Sequence, residues 1–337
     1  MIARRVGRAL SWRFAAVIAR LDALVTRTAR LEARVEELAA QVGELAAAIG
    51  PLAEPEGLLA RAAEDARATR ETVDQRLQPM LRAVLDEEAE NRRRLHALRA
   101  SPHHEHAYSN PDPLVSVTIA CAGRAGTLLE RALPSVLSQT HENLEVVVVG
   151  DGVHLELGEA VEALGDPRVR FANLSQRITA HADPRRHWLV GSTMARNEAA
   201  RRAQGSWLLH FDDDDHLRPG AIAALLETAR EQRAEVAYGA IEEHHPDGAH
   251  MTLQGFPPRL GTFSWAGALV HAGLRFFERE LIAAHLEMPG DMYMLERMLR
   301  AGVRFAPAEQ TVLDYYPSTL WQPHEVRDEA RQAPLQD

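Results

Sequence analysis

The sequence contains no lysine, so all 38 basic side chains among its 337 residues are arginines. We interpret this as genomic codon bias rather than as a functional feature. Acidic residues outnumber basic ones, and the formal net charge is −10. A nucleic-acid-binding protein normally presents a basic face, so no nucleic acid partner is expected.

Cysteine and long apolar runs are also scarce. Cys121 is the only cysteine, which excludes an internal disulfide and a cysteine-based metal site and suits a reducing cytoplasm. The apolar stretch 14–19 is too short to span a bilayer. The arginines around it leave two interpretations of the first twenty residues: an amphipathic helix in peripheral contact with the inner face of a membrane, or the solvated start of a coiled coil. A cytoplasmic location is expected in either case.

The first hundred residues differ in composition from the rest of the chain, because they are rich in Ala, Arg, Glu and Leu and poor in aromatics. A heptad stripe predicts a coiled-coil helix over residues 1–50, and therefore a homo-oligomer. Its members are Leu24, Leu31, Val35, Leu38, Val42, Leu45 and Ile49. Gly50 and Pro51 end the pattern, and a second helical segment is predicted over 51–100. Such stripes pair helices and carry no chemistry.

Residues 101–113 have the composition of a linker, with three prolines and a run of histidines. The histidines suggest two alternatives, a metal site or a solvated segment, and the second is favoured because no further ligands are nearby. From residue 114 apolar strands alternate with helices, which predicts an α/β domain over 114–317 with a largely parallel sheet, followed by a tail over 318–337. Ligands of such sheets bind at the carboxyl ends of the strands.

Four aspartates, Asp212 to Asp215, directly follow the apolar strand 207–211. Adjacent carboxylates repel one another, and a buried strand end makes that repulsion costly. A hard cation such as Mg²⁺ or Mn²⁺ would remove it and could hold a diphosphate. The alternative is an acidic surface turn before the next helix. Asp151 also ends a predicted strand, so we expect it to share a crevice with the aspartate run.

Several segments together resemble family 2 glycosyltransferases of the GT-A fold, from about residue 114 to 316. Residues 115–119 resemble the opening strand, 133–140 the first helix with its Ser-Val-Leu-x-Gln-Thr signature, and 145–152 the second strand. Residues 195–199 and 203–207 are similar to the helix and turn that lead into the aspartate strand. The resemblance implies an inverting transferase that moves a sugar from a nucleoside diphosphate sugar, with a UDP-sugar as the first candidate, to a glycan or other hydroxyl acceptor.

The resemblance also assigns roles to the acidic residues. Asp151 would accept a hydrogen bond from the nucleobase, and Asp212 and Asp213 would touch the ribose and the metal shell. Asp214 would be the direct ligand of a divalent cation, Mn²⁺ or Mg²⁺, that stabilises the departing diphosphate. On this view Asp215 only starts the next loop.

Two residues on the helix before the aspartate strand complete the predicted nucleotide-sugar site. Arg196 and Asn197 would lie near the nucleotide crevice, where the guanidinium suits phosphate. A packing or capping role for the pair is the alternative. His271 likewise is either a diphosphate or metal contact or a structural histidine, and the structural role is favoured.

The segment 289–299 resembles the part of the family that carries the catalytic base. The match places Asp291 at that position, where the positive end of a helix favours its ionised form. The alternatives are an ordinary helix cap at Asp291, or Glu296 as the base. Residues 251–264, with two glycines and two prolines, are predicted to form a mobile segment over the site.

The sequence also departs from the family pattern. Residues 120–123 lack the aromatic residue that would stack on the base, and residues 314–318 lack a histidine that could complete the metal shell. Two rival functions follow. One is a catalytically degenerate GT-A domain acting as a coiled-coil scaffold or binding protein. The other is a nucleotidyltransferase, for which Gly123-Arg124-Ala125-Gly126 is a weak version of a triphosphate loop.

Overall fold

The computed structural model describes residues 40–41, 64–67, 78–177 and 184–317. The chain divides into two compact units, residues 1–90 and 91–337. In the first unit the described residues are helical. The rest of the predicted coiled coil, and with it the predicted oligomer and membrane contacts, lies outside the described residues, as does the tail over 318–337. In the described part of the chain, no helix combines the length and apolarity needed to cross a membrane.

The second unit is an α/β domain. Its helices, together with the one that enters it from the first unit, are α1 Gln78–Arg99, α2 Pro102–Ser109, α3 (the consecutive turns Ala125–Thr127, Leu128–Ala132 and Leu133–Leu137), α4 Leu155–Ala163, α5 Pro184–Leu189, α6 Thr193–Arg202, α7 Ala221–Gln232 and α8 Gly290–Ala301. Short 3₁₀ helices cover Trp265–Gly267, Ala272–Leu274 and Leu281–Leu286. The predicted helices and strands of this unit are present within a few residues of their expected limits.

The strands are β1 Val115–Cys121, β2 Leu144–Gly150, β3 Val169–Asn173, β4 Trp207–Phe211, β5 His216–Leu217, β6 Val236–His244, β7 His250–Leu253, β8 Ala268–His271 and β9 Phe305–Tyr315. They form one sheet in the order β3-β2-β1-β4-β8-β6-β9-β5, with β7 on β6. The half from β3 to β4 is parallel, whereas β8 runs antiparallel to both neighbours. The sheet is thus mixed, not largely parallel as predicted, because β8, β7 and β5 pair antiparallel with their neighbours. Its parallel half is Rossmann-like, and the α/β, GT-A-like fold class predicted for this domain is confirmed.

The register of the parallel half fixes where the acidic residues lie. Ile119 pairs with Phe211, and Cys121 pairs with Gly150, so β1, β2 and β4 end at one edge. Asp151 and Asp212 are the residues that follow β2 and β4 at that edge. Strands β1, β2 and β4 are buried along their whole length, because their apolar runs are covered by helices on both faces.

The predicted linker over 101–113 needs correction, because it contains helix α2. Ser101 caps this helix by accepting a hydrogen bond from the backbone of His104, and Pro102 occupies its first turn. His104, Ala107 and Tyr108 are buried, and Ala107 accepts a hydrogen bond from the Trp207 indole at 3.1 Å. Composition misled here because prolines and histidines are as compatible with a capped, packed helix as with a linker.

A buried carboxylate joins α1, α2 and the sheet. Glu235 is fully buried and forms hydrogen bonds with the guanidinium groups of Arg99, at 2.8 and 3.0 Å, and of Arg304, at 2.6 and 3.0 Å. His104 Nε2 lies 3.3 Å from the same carboxylate. Burial alone would raise the pKa of Glu235, but hydrogen bonds from Arg99 and Arg304 outweigh it and lower that pKa to about 2.

This depressed pKa predicts an acid-sensitive fold. Because the folded-state pKa lies below the unfolded one, the stabilisation is present above about pH 4.5 and is lost as the pH falls towards 2. The free energy of unfolding, measured by urea denaturation, should fall by roughly 3 kcal/mol across this range on account of Glu235. In Glu235→Gln this part of the pH dependence should be missing. Glu105→Gln, which removes an exposed partner of Arg233, is the control and should retain it.

Candidate active site

The four aspartates after β4 have four different environments. Asp212 forms an ion pair with Arg196 at 2.6 Å. Asp213 is buried and pairs with Arg124 at 2.6 Å, while the partly buried Asp214 pairs with the same guanidinium. Arginines of the same chain therefore form ion pairs with the aspartate run, which is not a solvated turn.

Asp215, the last of the run, is fully buried. Its Oδ1 accepts a hydrogen bond from the backbone N–H of Tyr316 at 3.1 Å. This contact ties the start of the loop after β4 to the end of β9.

Charge is distributed unequally along the run. Burial raises the pKa of Asp213, and burial together with the charge of Asp212 raises the pKa of Asp214 to about 6. The pKa of Asp215 lies well above its ordinary value for the same two reasons. Burial also opposes ionisation of Asp212, but the charge of Arg196 outweighs it and lowers the pKa of that carboxyl. Asp212 is therefore the member of the run whose charged form the surroundings favour, whereas the surroundings of Asp213, Asp214 and Asp215 favour the protonated form.

Asp212 and Asp214 line a cleft of about 390 Å³ at the carboxyl edge of the parallel strands. Asp291 lines the same cleft, so the structure brings the predicted base and the predicted metal ligands together. The arginines in its wall are Arg124, Arg196 and Arg279. Its other side chains include those of Trp188, His210, Leu253, Leu260, Phe263, Trp265, Tyr315 and Tyr316. Part of the predicted mobile segment, residues 251–264, thus forms a wall of the cleft.

Asp291 lies in the first turn of α8, one residue after the helix begins at Gly290. Its Oδ1 accepts a hydrogen bond from the N–H of Met292 at 2.8 Å, and its backbone carbonyl accepts one from the Trp265 indole at 2.9 Å. The cap residue of α8 is Pro289, so Asp291 is not the ordinary cap. One carboxylate oxygen is used by the helix, and the other is available to a ligand in the cleft.

Glu296, the alternative base, lies outside the cleft lining. Its carboxylate pairs with Arg300 one turn further along α8, at 3.2 Å, and its side chain is 47% exposed. It therefore belongs to the outer face of the helix. This placement leaves Asp291 as the acidic residue of α8 that faces the cleft.

The predicted nucleotide contacts are only partly brought together. Arg196 is in the cleft, but Asn197 is not among its lining residues. The Asn197 amide donates to the carbonyl of Arg279 at 2.8 Å and accepts from its N–H at 3.0 Å. Both ends of this side chain are therefore engaged in packing, which was the alternative weighed for it. Asn197 fixes the backbone of Arg279.

Asp151 follows β2 as expected but does not line the cleft. It is buried, and its Oδ2 accepts a hydrogen bond from the Ser192 hydroxyl at 3.2 Å, with Arg177 at 3.6 Å. His271 is at the opposite edge of the sheet, since it pairs with Trp207 at the start of β4. It packs against the rings of His104, Tyr108 and Trp207, which is the structural role.

The cleft residues that were not predicted include Arg124, His210 and Arg279. Arg124 was noted only as part of a weak triphosphate loop. It reaches Asp213 and Asp214 from the turn after β1, where Gly123 has a φ of +100° that glycine adopts without strain. His210 and Arg279 gave no signal in the sequence, because one lies inside an apolar strand and the other in an irregular segment.

The acidic residues of the cleft supply only some of the ligands that a divalent cation would need. Among the described residues no three His, Cys, Asp or Glu side chains are gathered to hold a metal ion. Asp212 and Asp214 supply carboxylates, and Oδ2 of the neighbouring Asp213 is buried without a hydrogen-bond partner in the described part of the chain. Mg²⁺ is typically bound through one or two carboxylates with the remaining positions filled by water and substrate phosphates. The residues therefore fit a cation shared with a substrate.

Comparison with known proteins agrees with this geometry. Residues 116–283 match the family model described as Glycosyl transferase family 2. The match covers the aspartate run, Arg124, Arg196 and Arg279, and it ends before Asp291.

The chain is similar to several curated proteins over part of its length. It is 31% identical over 141 residues to the succinoglycan biosynthesis protein ExoO of Rhizobium meliloti, covering 42% of this chain and 37% of that protein. It is 29% identical over 126 residues to a GalNAc(5)-diNAcBac-PP-undecaprenol beta-1,3-glucosyltransferase of Campylobacter jejuni, covering 37% of each. The chain thus spans well under half the length of these relatives. Among solved structures, S. aureus TarS residues 1–349 align with a TM-score of 0.46 and 18% identity over 60% of each chain.

Proposed function

We propose, from the glycosyltransferase family 2 domain at residues 116–283, that this chain transfers a sugar from a nucleoside diphosphate sugar to an acceptor hydroxyl with inversion at the anomeric carbon. One observation carries the proposal. A single cleft holds Asp212 and Asp214 from the end of β4 together with Asp291 from the start of α8. Asp212 and Asp214 would hold the cation that binds the departing diphosphate. Asp291 would remove the proton of the acceptor hydroxyl.

The donor is placed against the aspartate edge of the cleft. Arg124 and Arg196 both line this edge, and guanidinium groups bind phosphate oxygens in a fork geometry. Asp212 and Asp214 would hold a Mg²⁺ or Mn²⁺ shared with the diphosphate, and such a cation would stabilise the negative charge on the leaving group. Asp151, buried at the same sheet edge, remains the predicted contact of the nucleobase, with a UDP-sugar as the first donor to test.

Arg124 has a second consequence for cation binding. Its guanidinium, which is half exposed, already neutralises Asp213 and Asp214. A cation at Asp214 must compete with this contact, so Arg124 has to move. The guanidinium released in this way lies beside the aspartates and is well placed to bind a phosphate oxygen of the donor.

The acceptor reacts at Asp291. Its carboxylate takes the proton of the acceptor hydroxyl as that oxygen forms a bond to the anomeric carbon. The bond between the anomeric carbon and the diphosphate oxygen breaks on the opposite face, and the nucleoside diphosphate leaves with the electron pair. Holding donor and acceptor in one cleft makes this step effectively unimolecular.

The proposal is tested on the full chain with a panel of nucleoside diphosphate sugars. We expect at least one donor to raise the melting temperature with Mn²⁺ present and not with EDTA, and to release its nucleoside diphosphate when acceptor glycans are added. The anomeric configuration of the product, read by NMR, should be inverted. A chain that binds no donor under any condition would instead act as a degenerate scaffold, and the proposal would fail.

A further inference from the structure

Arg279 is a buried arginine that forms no ion pair with any residue the structure describes. It lines the cleft and is only 6% exposed. Its Nε is buried without a hydrogen-bond partner, and within the described ranges no carboxylate forms an ion pair with its guanidinium. The other two arginines of the cleft differ from it, since Arg124 and Arg196 are both paired with members of the aspartate run.

The position of Arg279 is fixed by its backbone. Asn197 binds both its N–H and its carbonyl, at 3.0 and 2.8 Å. Asn197 is itself buried on α6. The side chain therefore starts from an anchored point beneath the cleft rather than from a flexible loop, and the guanidinium is held in place without an ion pair.

The charges near Arg279 do not neutralise it. Burial, followed by the positive charge of Arg196, lowers the pKa of Arg279 to about 10, against smaller opposing effects of Asp291 and Asp212. Asp212 is already paired with Arg196, and Asp291 attracts the Arg279 guanidinium without forming an ion pair with it in the described part of the chain. A buried guanidinium without a paired carboxylate destabilises the folded protein, so an oxyanion that reached Arg279 would be stabilised there.

We propose that Arg279 is an anion-binding residue of the cleft, whose guanidinium binds an oxyanion of the substrate between the aspartate run and Asp291. The inference rests on the proposed function for the identity of that substrate, but not for the anion site itself. An oxyanion at this position has two chemical sources. One is the diphosphate of the donor, and the other is a carboxylate on the transferred sugar, as in a uronic acid.

The anion site is tested first without any nucleotide. Inorganic pyrophosphate should raise the melting temperature of the full chain, and Arg279→Gln should abolish that rise. Without ligand, Arg279→Gln should melt at the same temperature as the parent or higher, because it removes an uncompensated buried charge. Arg279→Lys keeps a charge and should retain part of the response to pyrophosphate. A purely structural arginine would give the reverse result, with ligand-free Arg279→Gln melting lower and the response to pyrophosphate intact.

The source of the oxyanion is tested next by calorimetry with bound nucleotides. If the diphosphate binds Arg279, Arg279→Gln should weaken UDP and the other nucleoside diphosphates by roughly tenfold or more. If a sugar carboxylate binds Arg279, the variant should bind UDP as tightly as the parent does. It should then bind UDP-glucuronic acid roughly tenfold more weakly, or worse. Arg275→Gln is the matched control, because Arg275 lies four residues away, outside the cleft lining, and bonds Gly205.

These outcomes separate the two proposals. If pyrophosphate raises the melting temperature through Arg279 but the wild-type chain binds no nucleotide, the anion site is supported and the proposed function is wrong. Unchanged responses of Arg279→Gln to pyrophosphate, to nucleoside diphosphates and to UDP-glucuronic acid would overturn the anion site.

Discussion

Replacing Asp291 by asparagine is expected to abolish sugar transfer while leaving donor binding unchanged. Asparagine keeps an oxygen that can accept the hydrogen bond from Met292 N–H, so the start of α8 is preserved. It has no basic oxygen that can take the acceptor proton, and loss of a general base typically lowers the rate by about 10²–10⁴-fold. The measurements are the rate of nucleoside diphosphate release with acceptor and the calorimetric affinity for the donor.

The matched control for this variant is Glu296→Gln on the same helix. Glu296 pairs with Arg300 outside the cleft, so its loss should change the transfer rate by no more than about twofold. Full transfer activity in Asp291→Asn would show that another group accepts the proton. Loss of donor binding in the same variant would instead make Asp291 a binding residue.

Replacing Asp214 by alanine is expected to remove the cation-dependent part of donor binding. Asp214 lies in the cleft, and burial together with the charge of Asp212 raises its pKa to about 6. Its ionised form is therefore less favourable than that of an exposed carboxyl, and a bound cation would stabilise it. Donor affinity with Mn²⁺ should fall by at least roughly tenfold, whereas the melting temperature without ligand should stay the same or rise.

Asp215→Asn is the control for the aspartate run. Asp215 is fully buried, and burial raises its pKa, so asparagine, an uncharged side chain of the same shape, is a mild replacement. Its oxygen can still accept from Tyr316 N–H. Donor affinity and its dependence on Mn²⁺ should be unchanged in this variant. If Asp214→Ala still requires Mn²⁺ for donor binding, Asp214 is not a ligand of the cation.

The parallel half of the sheet could be predicted from the sequence because each strand is a short apolar run with a clear end. Asp151 and Asp212 were placed at one sheet edge by this pattern alone, and the register confirms it. The antiparallel strand β8 and the pairing of β6 with β9 depend on contacts between distant segments. No local pattern in the chain encodes them.

The site was predicted less evenly than the fold. The aspartate run could be found because it follows a recognisable strand end, and Asp291 because segment 289–299 resembles the part of the family that carries the base. Arg124 and Arg279 could not, because their importance comes from what lies near them in space. Asn197 shows the opposite error, since it lies next to Arg196 in sequence but points to the backbone of Arg279.

The contact between Arg99 and Glu235 has a practical consequence for trimming the protein. The family match begins at residue 116, yet the compact unit begins at Asn91. A fragment cut at the start of β1 would leave Glu235 without Arg99 and His104, and would uncover the Trp207 ring that α2 protects. The smallest fragment that keeps these contacts therefore includes the end of α1 and all of α2, which lie before the residues matched to the family.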